Sequence, residues 1–427
     1  MRTKWLLLPL MALCLAGCHP EEDKSLRIDG QNFPDDVFRS YLTENFDLDG
    51  NGVLDEDEIL AVDSINVRKD YHSSFSGDIY TLDMIDRFEN LRYLDCYGHQ
   101  IKKLDLSQNE ALVYLDCGGN PLASLNVSGC LSLRNLYCGS SHLKELDLSK
   151  NAALEYLEIN GGDIGGLDLK GYELLKYLAV RSGQLTSLDV SGCTALAYLD
   201  CSYNNQLTSL DVSGCTALVS LDCRDNQLTA LDVSQNTALE YLDCGNNLLA
   251  ALDVSGCAAL DHLGCYENQL TALDVSGCTA LEYLNCGVNL LAALDVSGCA
   301  ALDHLRCSDN PLTALDVSGC AALTSLDCDN NQLTSLDLSK NTALGYLQCS
   351  GNEYHVTAML NMFDLNQLPE GFDRSKVIDW NGGTVEGTVL TFTQPEVTYT
   401  YDTEYAGEAW PVLYVDFTLV CDNYETK

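Results

Sequence analysis

Residues 269–286 read QLTALDVSGCTALEYLNC, an aspartate, two cysteines and a tyrosine set on a frame of leucines. The frame L-x-x-L-x-C recurs with its first leucine at 91, 112, 133, 154, 175, 196, 218, 239, 260, 281, 302, 323 and 344. Every step is 21 residues except one of 22, at Ser202–Asn205. Each repeat carries a second half, L-x-x-L-D-V/L-S, as in Leu270–Ser276. Alternation within L-x-C and L-D-V turns leucines and cysteines inward and the residues between them outward. One such coil cannot bury its own apolar edge, whereas a stack of them buries a continuous core. At about 4.8 Å per coil the stack spans on the order of 60 Å. Asn226, Asn247, Asn268, Asn289, Asn310 and Asn331 recur at the turn, where an amide can satisfy backbone groups of neighbouring coils.

A fixed period of about 20–29 residues with this leucine pattern marks a leucine-rich-repeat solenoid. Residues 91–352 resemble the 21-residue class of bacterial leucine-rich repeats, with consensus LxxLxCxxNxLxxLDLxxN. The fold expected is an α/β-type repeat solenoid, mostly β, with short extended convex segments, a helical N-terminal cap and a small C-terminal β module.

Eleven of the 21 cysteines occupy the inward L-x-C position, from Cys96 to Cys349. Seven more, such as Cys278, fill a turn position held elsewhere by Asn109, Asn151, Asn236 and Asn341. Ile159 and Val180 replace the inward cysteine in two coils, so the position asks for a small apolar group, which a free thiol is. In-register strands also point their Cβ vectors the same way, which suits disulfide dihedrals poorly. Zinc asks for CxxC-like pairs or mixed Cys/His clusters, and none occurs. Buried free thiols are the expectation, with disulfides or a metal as the alternatives.

The second half-repeat stacks Asp105, Asp147, Asp168, Asp189, Asp211, Asp232, Asp253, Asp274, Asp295, Asp316 and Asp337 in an outward column broken by Asn126. Neighbouring carboxylates about 4.8 Å apart in water repel by roughly 1 kcal/mol. Hydrogen bonds from the following serine or backbone N–H groups can offset this, and so can bridging Ca²⁺. The near-invariance of the column favours the first.

Variation lies beside the L-x-C strand. One outward column holds Tyr93, Tyr114, Asn135, Tyr156, Tyr177, Tyr198, Ser220, Tyr241, His262, Tyr283, His304, Ser325 and Tyr346. The next runs through Asp95, Asp116, Tyr137, Glu158, Asp200, Asp222 and Asp243, and a third adds Tyr97, Arg181, Arg224 and Tyr266. Tyrosine among carboxylates and occasional arginine is how interface hot spots are composed. The face formed by Tyr93, Tyr114, Tyr137, Tyr156, Tyr177, Tyr198, Tyr241, His262, Tyr283, His304 and Tyr346 is therefore the candidate ligand face, for a protein or for stacked sugar rings. A purely structural aromatic ladder accounts for the same column.

Ahead of the array, Asp47–Glu58 matches D-x-[DN]-x-[DN]-G-x₅-E at every defined position. Asp47, Asp49, Asn51 and Asp55 would offer side-chain oxygens to a calcium ion, Val53 its carbonyl and Glu58 both carboxylate oxygens. Residues 34–46 supply an amphipathic entering helix through Val37, Phe38, Tyr41 and Leu42. No second loop follows, so one fixed structural calcium is expected rather than a paired sensor.

The chain is strongly acidic, 23 basic against 63 acidic residues, which repels phosphate backbones and argues against nucleic acid as a partner. Its 46% hydrophobic content excludes a disordered acidic polymer. The start, MRTKWLLLPLMALCLAGC, has a basic n-region and a short apolar core, and its end resembles a bacterial lipobox with Cys18 as the lipidated residue. Glu21, Glu22 and Asp23 resemble the surface-export signal of lipoproteins of the Bacteroides group. The organisation expected is a signal peptide (1–17), an acidic tether (18–30), an EF-hand-like cap (31–62), a capping coil (63–90), the repeats (91–352) and a C-terminal helical cap with β-rich module (353–427). Within the last, residues 355–368 read as a short helix and residues 384–392, 397–401 and 412–420 as strands, similar to the β module that follows the repeats in internalin-like proteins. Loop, cap and repeats together resemble leucine-rich-repeat surface lipoproteins of Bacteroides-type bacteria. That resemblance implies an outer-membrane, lipid-anchored, surface-exposed monomer that touches membrane only through its anchor. No HExxH, GxSxG, P-loop or dinucleotide motif occurs, so no catalytic residue is assigned. The function expected is non-enzymatic binding of a protein ligand, with a glycan-binding module or an accessory scaffold of a surface complex as alternatives.

Overall fold

The computed structural model describes residues 25–70, 77–139, 141–410 and 413–425. Cys18 and the leader therefore lie outside the described residues.

Thirteen three-residue strands, from Tyr93–Asp95 to Tyr346–Gln348, pair in parallel and in register, one per repeat. A fourteenth, Ser64–Asn66, pairs with Tyr93–Asp95 and comes from the capping coil. The central leucine of each strand and the cysteine that follows it face the core, with Leu242, Cys244, Leu263 and Cys265 fully buried. The second half-repeats pair less completely, as Lys103–Asp105 with Ser124–Asn126, Gly166–Asp168 with Ser187–Asp189, and isolated bridges linking Asp253, Asp274, Asp295 and Asp316.

Two ladders of side chains stitch the coils together. Asn289 donates through Nδ2 to the carbonyls of Cys265 and Cys286, both at 3.0 Å, and accepts at Oδ1 from Leu270 N–H. Asn120, Asn204, Asn226, Asn247, Asn268, Asn310, Asn331 and Asn352 donate in the same way. These bonds satisfy backbone groups that a turn leaves unpaired. On the opposite turn Asn109, Asn151, Asn236 and Asn341 donate to carbonyls of the preceding coil. Where cysteine takes that place, the thiol does the same more weakly, Cys193 Sγ lying 3.3 Å from the Leu169 carbonyl.

The nineteen cysteines of the described residues are buried and free, as expected. Burial pushes Cys286 and Cys138 up to about 12, so they sit in the core as neutral thiols. Two residues after the inward position, in the coils where that residue is described, the chain turns through a left-handed residue. Gly98, Gly119, Gly161 and Gly351 supply it cheaply, while Ser182, Tyr203, Asp225, Asn246, Glu267, Val288, Asp309 and Asn330 adopt it at φ 50–58°. For the β-branched Val288 this is a strained conformation.

The N-terminal end is covered by β1 (Leu26–Arg27), α1 (Asp36–Asn45), β2 (Val53–Leu54) and α2 (Glu56–Ala61). Asp35 caps α1 by accepting from Val37 and Phe38 N–H, and Phe38 and Leu42 bury its apolar stripe. At the other end, a helix expected over residues 355–368 does not form. Glu353–Val356 instead pairs in parallel with Tyr414–Cys421, and Met359 bridges Met362 across left-handed Leu360 and Asn361. Cross-strand pairing outweighs local helix preference there, and only a single 3-10 turn, Leu365–Gln367, remains. Residues 384–392 form a hairpin of Gly383–Glu386 and Val389–Phe392 rather than one strand. The module docks on the last coils through Tyr399 Oη to Thr334 O, Tyr405 Oη to Leu344 O and Leu338 N to Thr403 O. No helix among the described residues is long and apolar enough to cross a membrane.

Candidate functional site: the face of the long sheet

The register of the long sheet brings the predicted aromatic column together as a ladder. Tyr93 and Tyr114 stack at 4.5 Å, Tyr156 and Tyr177 at 4.0 Å, and Tyr177 and Tyr198 at 4.4 Å, with planes within 9°. Asn135 interrupts the first column, but Tyr137 from the second leans in to bridge Tyr114 and Tyr156. A second run joins Tyr241, His262 and Tyr283 at 4.5 and 4.3 Å, with His304 tilted away at 6.3 Å. Ser220, in register between Tyr198 and Tyr241, breaks the ladder. Ser325 separates His304 from Tyr346, which stands half-exposed at its end. The structural ladder and the candidate ligand face are thus the same residues.

The carboxylates beside them are not the open column that alternation predicts. Asp95, Asp116, Asp200, Asp222 and Asp243 are buried. Each accepts at Oδ1 from the N–H two residues on, as Asp116 does from Gly118 and Asp243 from Gly245. The exposed column makes the same bond, Asp274 Oδ1 accepting from Ser276 N–H at 2.9 Å. Solvent decides what this does to the acid. In the open column the bonds from the following serine hold Asp232 and Asp274 below the usual carboxylate range. On the sheet face burial dominates and pushes Asp222 up to about 7, with Asp116 and Asp243 also raised.

Three arginines offset part of this charge. Arg181 Nε lies 2.5 Å from Asp200, and Arg224 spans Asp222 and Asp243 at 3.4 and 3.3 Å. Arg68 binds Asp70 and Asp116 at 2.7 Å and Asp95 at 3.3 Å, and its guanidinium lies 4.3 Å over the Tyr97 ring. Sequence reading missed Arg68 because it precedes the repeats. Aligning Ile65 and Val67 of the capping coil with Leu94 and Cys96 places it in the column of Tyr97, and that was the available signal.

A cleft of about 470 Å³ opens on this face. Its floor exists because Gly118 and Gly139 stand where Tyr97 and Asn160 carry side chains. A Cβ at Gly118 would meet the Tyr97 ring at 3.3 Å, and one at Gly139 would meet Asn160 backbone at 2.9 Å. Arg68, Tyr97 and Asp116 line one end, Glu158 and Asn160 the other, with Tyr114 and Tyr137 between. Glu158 accepts from Tyr156 Oη at 3.1 Å and Asn160 Nδ2 at 2.6 Å.

Away from the sheet face, the loop between α1 and α2 gathers Asp47, Asp49 and Glu58 so that one oxygen of each lies within 4.8 Å of the others. Asp47 accepts from Asn51 and Gly52 N–H, and Asn51 Oδ1 from Val53 N–H. Gly50 and Gly52 are left-handed, as the bend requires. Asp55 and Glu58 form a capping box at the start of α2. Converging carboxylates with no cation among the described residues are the donor set a hard divalent ion takes. β2, inside the loop, pairs with β1 from the chain's own start.

These features define a leucine-rich-repeat solenoid, and comparison with known proteins agrees. A leucine-rich-repeat family profile matches residues 139–155. The functional domain of InlJ from Listeria monocytogenes, which includes a cysteine ladder, is 26% identical with a TM-score of 0.60, covering 92% of this chain and 98% of that one. InlF, an internalin from Listeria monocytogenes, matches at 21% identity and a TM-score of 0.59, over 76% and 91% of the two chains. The plant peptide hormone receptor RGFR1, solved in complex with RGF2, shares the fold at 19% identity and a TM-score of 0.52, over 64% and 53%. A search of curated proteins by sequence found no match. In architecture the chain is a leucine-rich-repeat solenoid similar to these internalin domains.

Proposed function

We propose that the protein is a non-enzymatic cell-surface lipoprotein, anchored through Cys18, that binds a protein ligand on the face of its long sheet. The observation that carries this is how the rings are used. A sugar platform needs open ring faces, and at 4.0–4.5 Å the tyrosines cover one another, leaving mostly edges and hydroxyls outward. A row of such edges, buried carboxylates and a glycine-floored cleft suits a polypeptide better than a sugar ring. The InlJ and RGFR1 likenesses support a binding solenoid of this kind.

Blocking the cleft tests the reading. Asn160→Trp, which fills the cleft from a position that already carries a side chain and is checked for an unchanged melting temperature, is expected to abolish capture of the protein ligand from surface extracts, whereas Asp253→Asn on the opposite column leaves it intact. Glycan-array binding that survives Asn160→Trp and is lost with Tyr283→Ala overturns the reading.

The loop at 47–58 is proposed to hold one calcium ion through Asp47, Asp49, Asn51, the Val53 carbonyl, Asp55 and Glu58. The ion would neutralise three converging carboxylates and lock α1 against α2. Calcium at a hundredfold excess over its Kd is expected to add about 2.7 kcal/mol to the cap's stability. Glu58→Gln should remove the gain, and an equal calcium effect in both chains rejects the site.

A further inference from the structure

The charge and hydrogen-bond inventory of the glycine-floored cleft is unbalanced at one end. At the Arg68 end, a single guanidinium is shared by Asp70, Asp95 and Asp116, and it already lies over an aromatic ring. That end is complete. At the other end Glu158 has two hydrogen-bond donors, Tyr156 and Asn160, and makes no ion pair among the described residues. A carboxylate offers about four lone-pair sites, so roughly half of its capacity is unused. The bond to Glu158 fixes the Asn160 amide, because only Nδ2 can donate to a carboxylate. Asn160 Oδ1 is then left buried with no donor. Between the two ends the ring stack opens. Tyr114 and Tyr137 meet at 5.5 Å and 43°, where the rungs from Tyr156 to Tyr198 are parallel within 3°.

A carboxylate short of a cation and a pair of rings splayed by 43° are two demands. One group meets both: a guanidinium, planar, charged and carrying five donors. An alkylammonium meets the charge but cannot stack flat. Asp116 and Glu158 lie two coils apart in register, about 10 Å, so a second guanidinium fits without displacing Arg68. The 470 Å³ of the cleft holds an arginine side chain and part of the chain that bears it.

We infer that the cleft is an arginine-recognition site, in which Glu158, held in place by Asn160 Nδ2, receives the guanidinium of an arginine side chain from the protein ligand and Tyr137 lies against it. This deepens, and rests on, the protein-binding reading.

The test titrates the full chain with capped Gly-Arg-Gly, Gly-Lys-Gly and Gly-citrulline-Gly peptides and with free arginine, by calorimetry. For a single side chain a Kd on the order of 1 mM is expected for the arginine peptide. Citrulline, isosteric but uncharged, should bind about tenfold more weakly or worse, as loss of a charge-assisted pair implies. Free arginine binding as well as the capped peptide identifies the guanidinium as the whole determinant, whereas weaker binding adds the flanking backbone. Glu158→Gln, checked for an unchanged melting temperature, should lose the arginine–citrulline difference. Glu155→Gln, on the same coil but paired with Arg134 and Lys176 and outside the cleft, should keep it. Equal binding of arginine and citrulline peptides, no binding of either, or an unaffected Glu158→Gln overturns the site. Should protein capture be lost in Asn160→Trp but retained in Glu158→Gln, the face still binds protein and only the arginine assignment falls.

Discussion

Asp222 offers a quantitative test of how the sheet face is built. Its carboxyl is buried between Asp200 and Asp243, and burial with those neighbours lifts it from 3.8 to about 7 despite Arg224. In the unfolded chain the group is ionised above about pH 4. Between pH 4 and 7 the native state therefore holds a proton that the unfolded state has lost, and stability falls as pH rises through that window. The full linkage is about 4 kcal/mol above pH 7. Asp222→Asn removes the titration. The repeat itself shows that asparagine fits, because Asn285 takes the equivalent place and accepts from Gly287 N–H as Asp222 does from Arg224 N–H. Arg224 loses one counter-ion but keeps Asp243 at 3.3 Å. Allowing for that loss, a gain of about 2 kcal/mol is expected above pH 7, shrinking to nothing near pH 4. Urea unfolding of both chains from pH 4 to 8.5 measures the difference directly. A gap that is independent of pH, or that widens toward acid, refutes the assignment of a buried protonated carboxyl.

Other expectations follow from the ladders. Asn289→Ala leaves the buried Leu270 N–H without its acceptor, while the Cys265 and Cys286 carbonyls keep Asn268 and Asn310 as donors, and should cost about 1–3 kcal/mol in chemical denaturation; a loss under about 0.5 kcal/mol would mean water replaces the amide. Ser220→Tyr fills the missing rung between Tyr198 and Tyr241 and should stabilise by about 0.5–1.5 kcal/mol, read as a raised melting temperature. Iodoacetamide at pH 8 should leave Cys286 and Cys138 unmodified in the native chain and alkylate both after unfolding without reductant, as mass spectrometry will show. Failure to alkylate after unfolding would reveal disulfides instead.

Period and leucine spacing made the solenoid legible, because thirteen copies of one pattern leave a single way to bury their leucines. The free thiols and the role of the turn asparagines were legible for the same reason. What alternation could not tell was depth. Tyr93 and Asp95 point to the same side of their strand, yet the tyrosine is partly exposed and the aspartate buried. That difference comes from neighbours one coil away and two residues on, which a single coil's pattern does not contain. The cleft was invisible for a related reason: it is made by the absence of side chains at Gly118 and Gly139, and by Arg68 from outside the repeats. Residues 355–368 misled because their pairing partner, Tyr414–Cys421, lies some sixty residues further along the chain.

The alternation of Tyr241, His262, Tyr283 and His304 in the second aromatic run has a history written beside it. Residues 248–263 and 290–305 are identical and 42 residues apart, so here the sequence repeats over two coils together. Recombination between such copies adds or deletes whole units and keeps every ladder in register. Each event changes the rod by about 10 Å and leaves both ends as they were. The cleft lies in the first coils, outside the duplicated stretch. The middle of the molecule can therefore lengthen or shorten as a spacer while the end that carries the cleft stays constant.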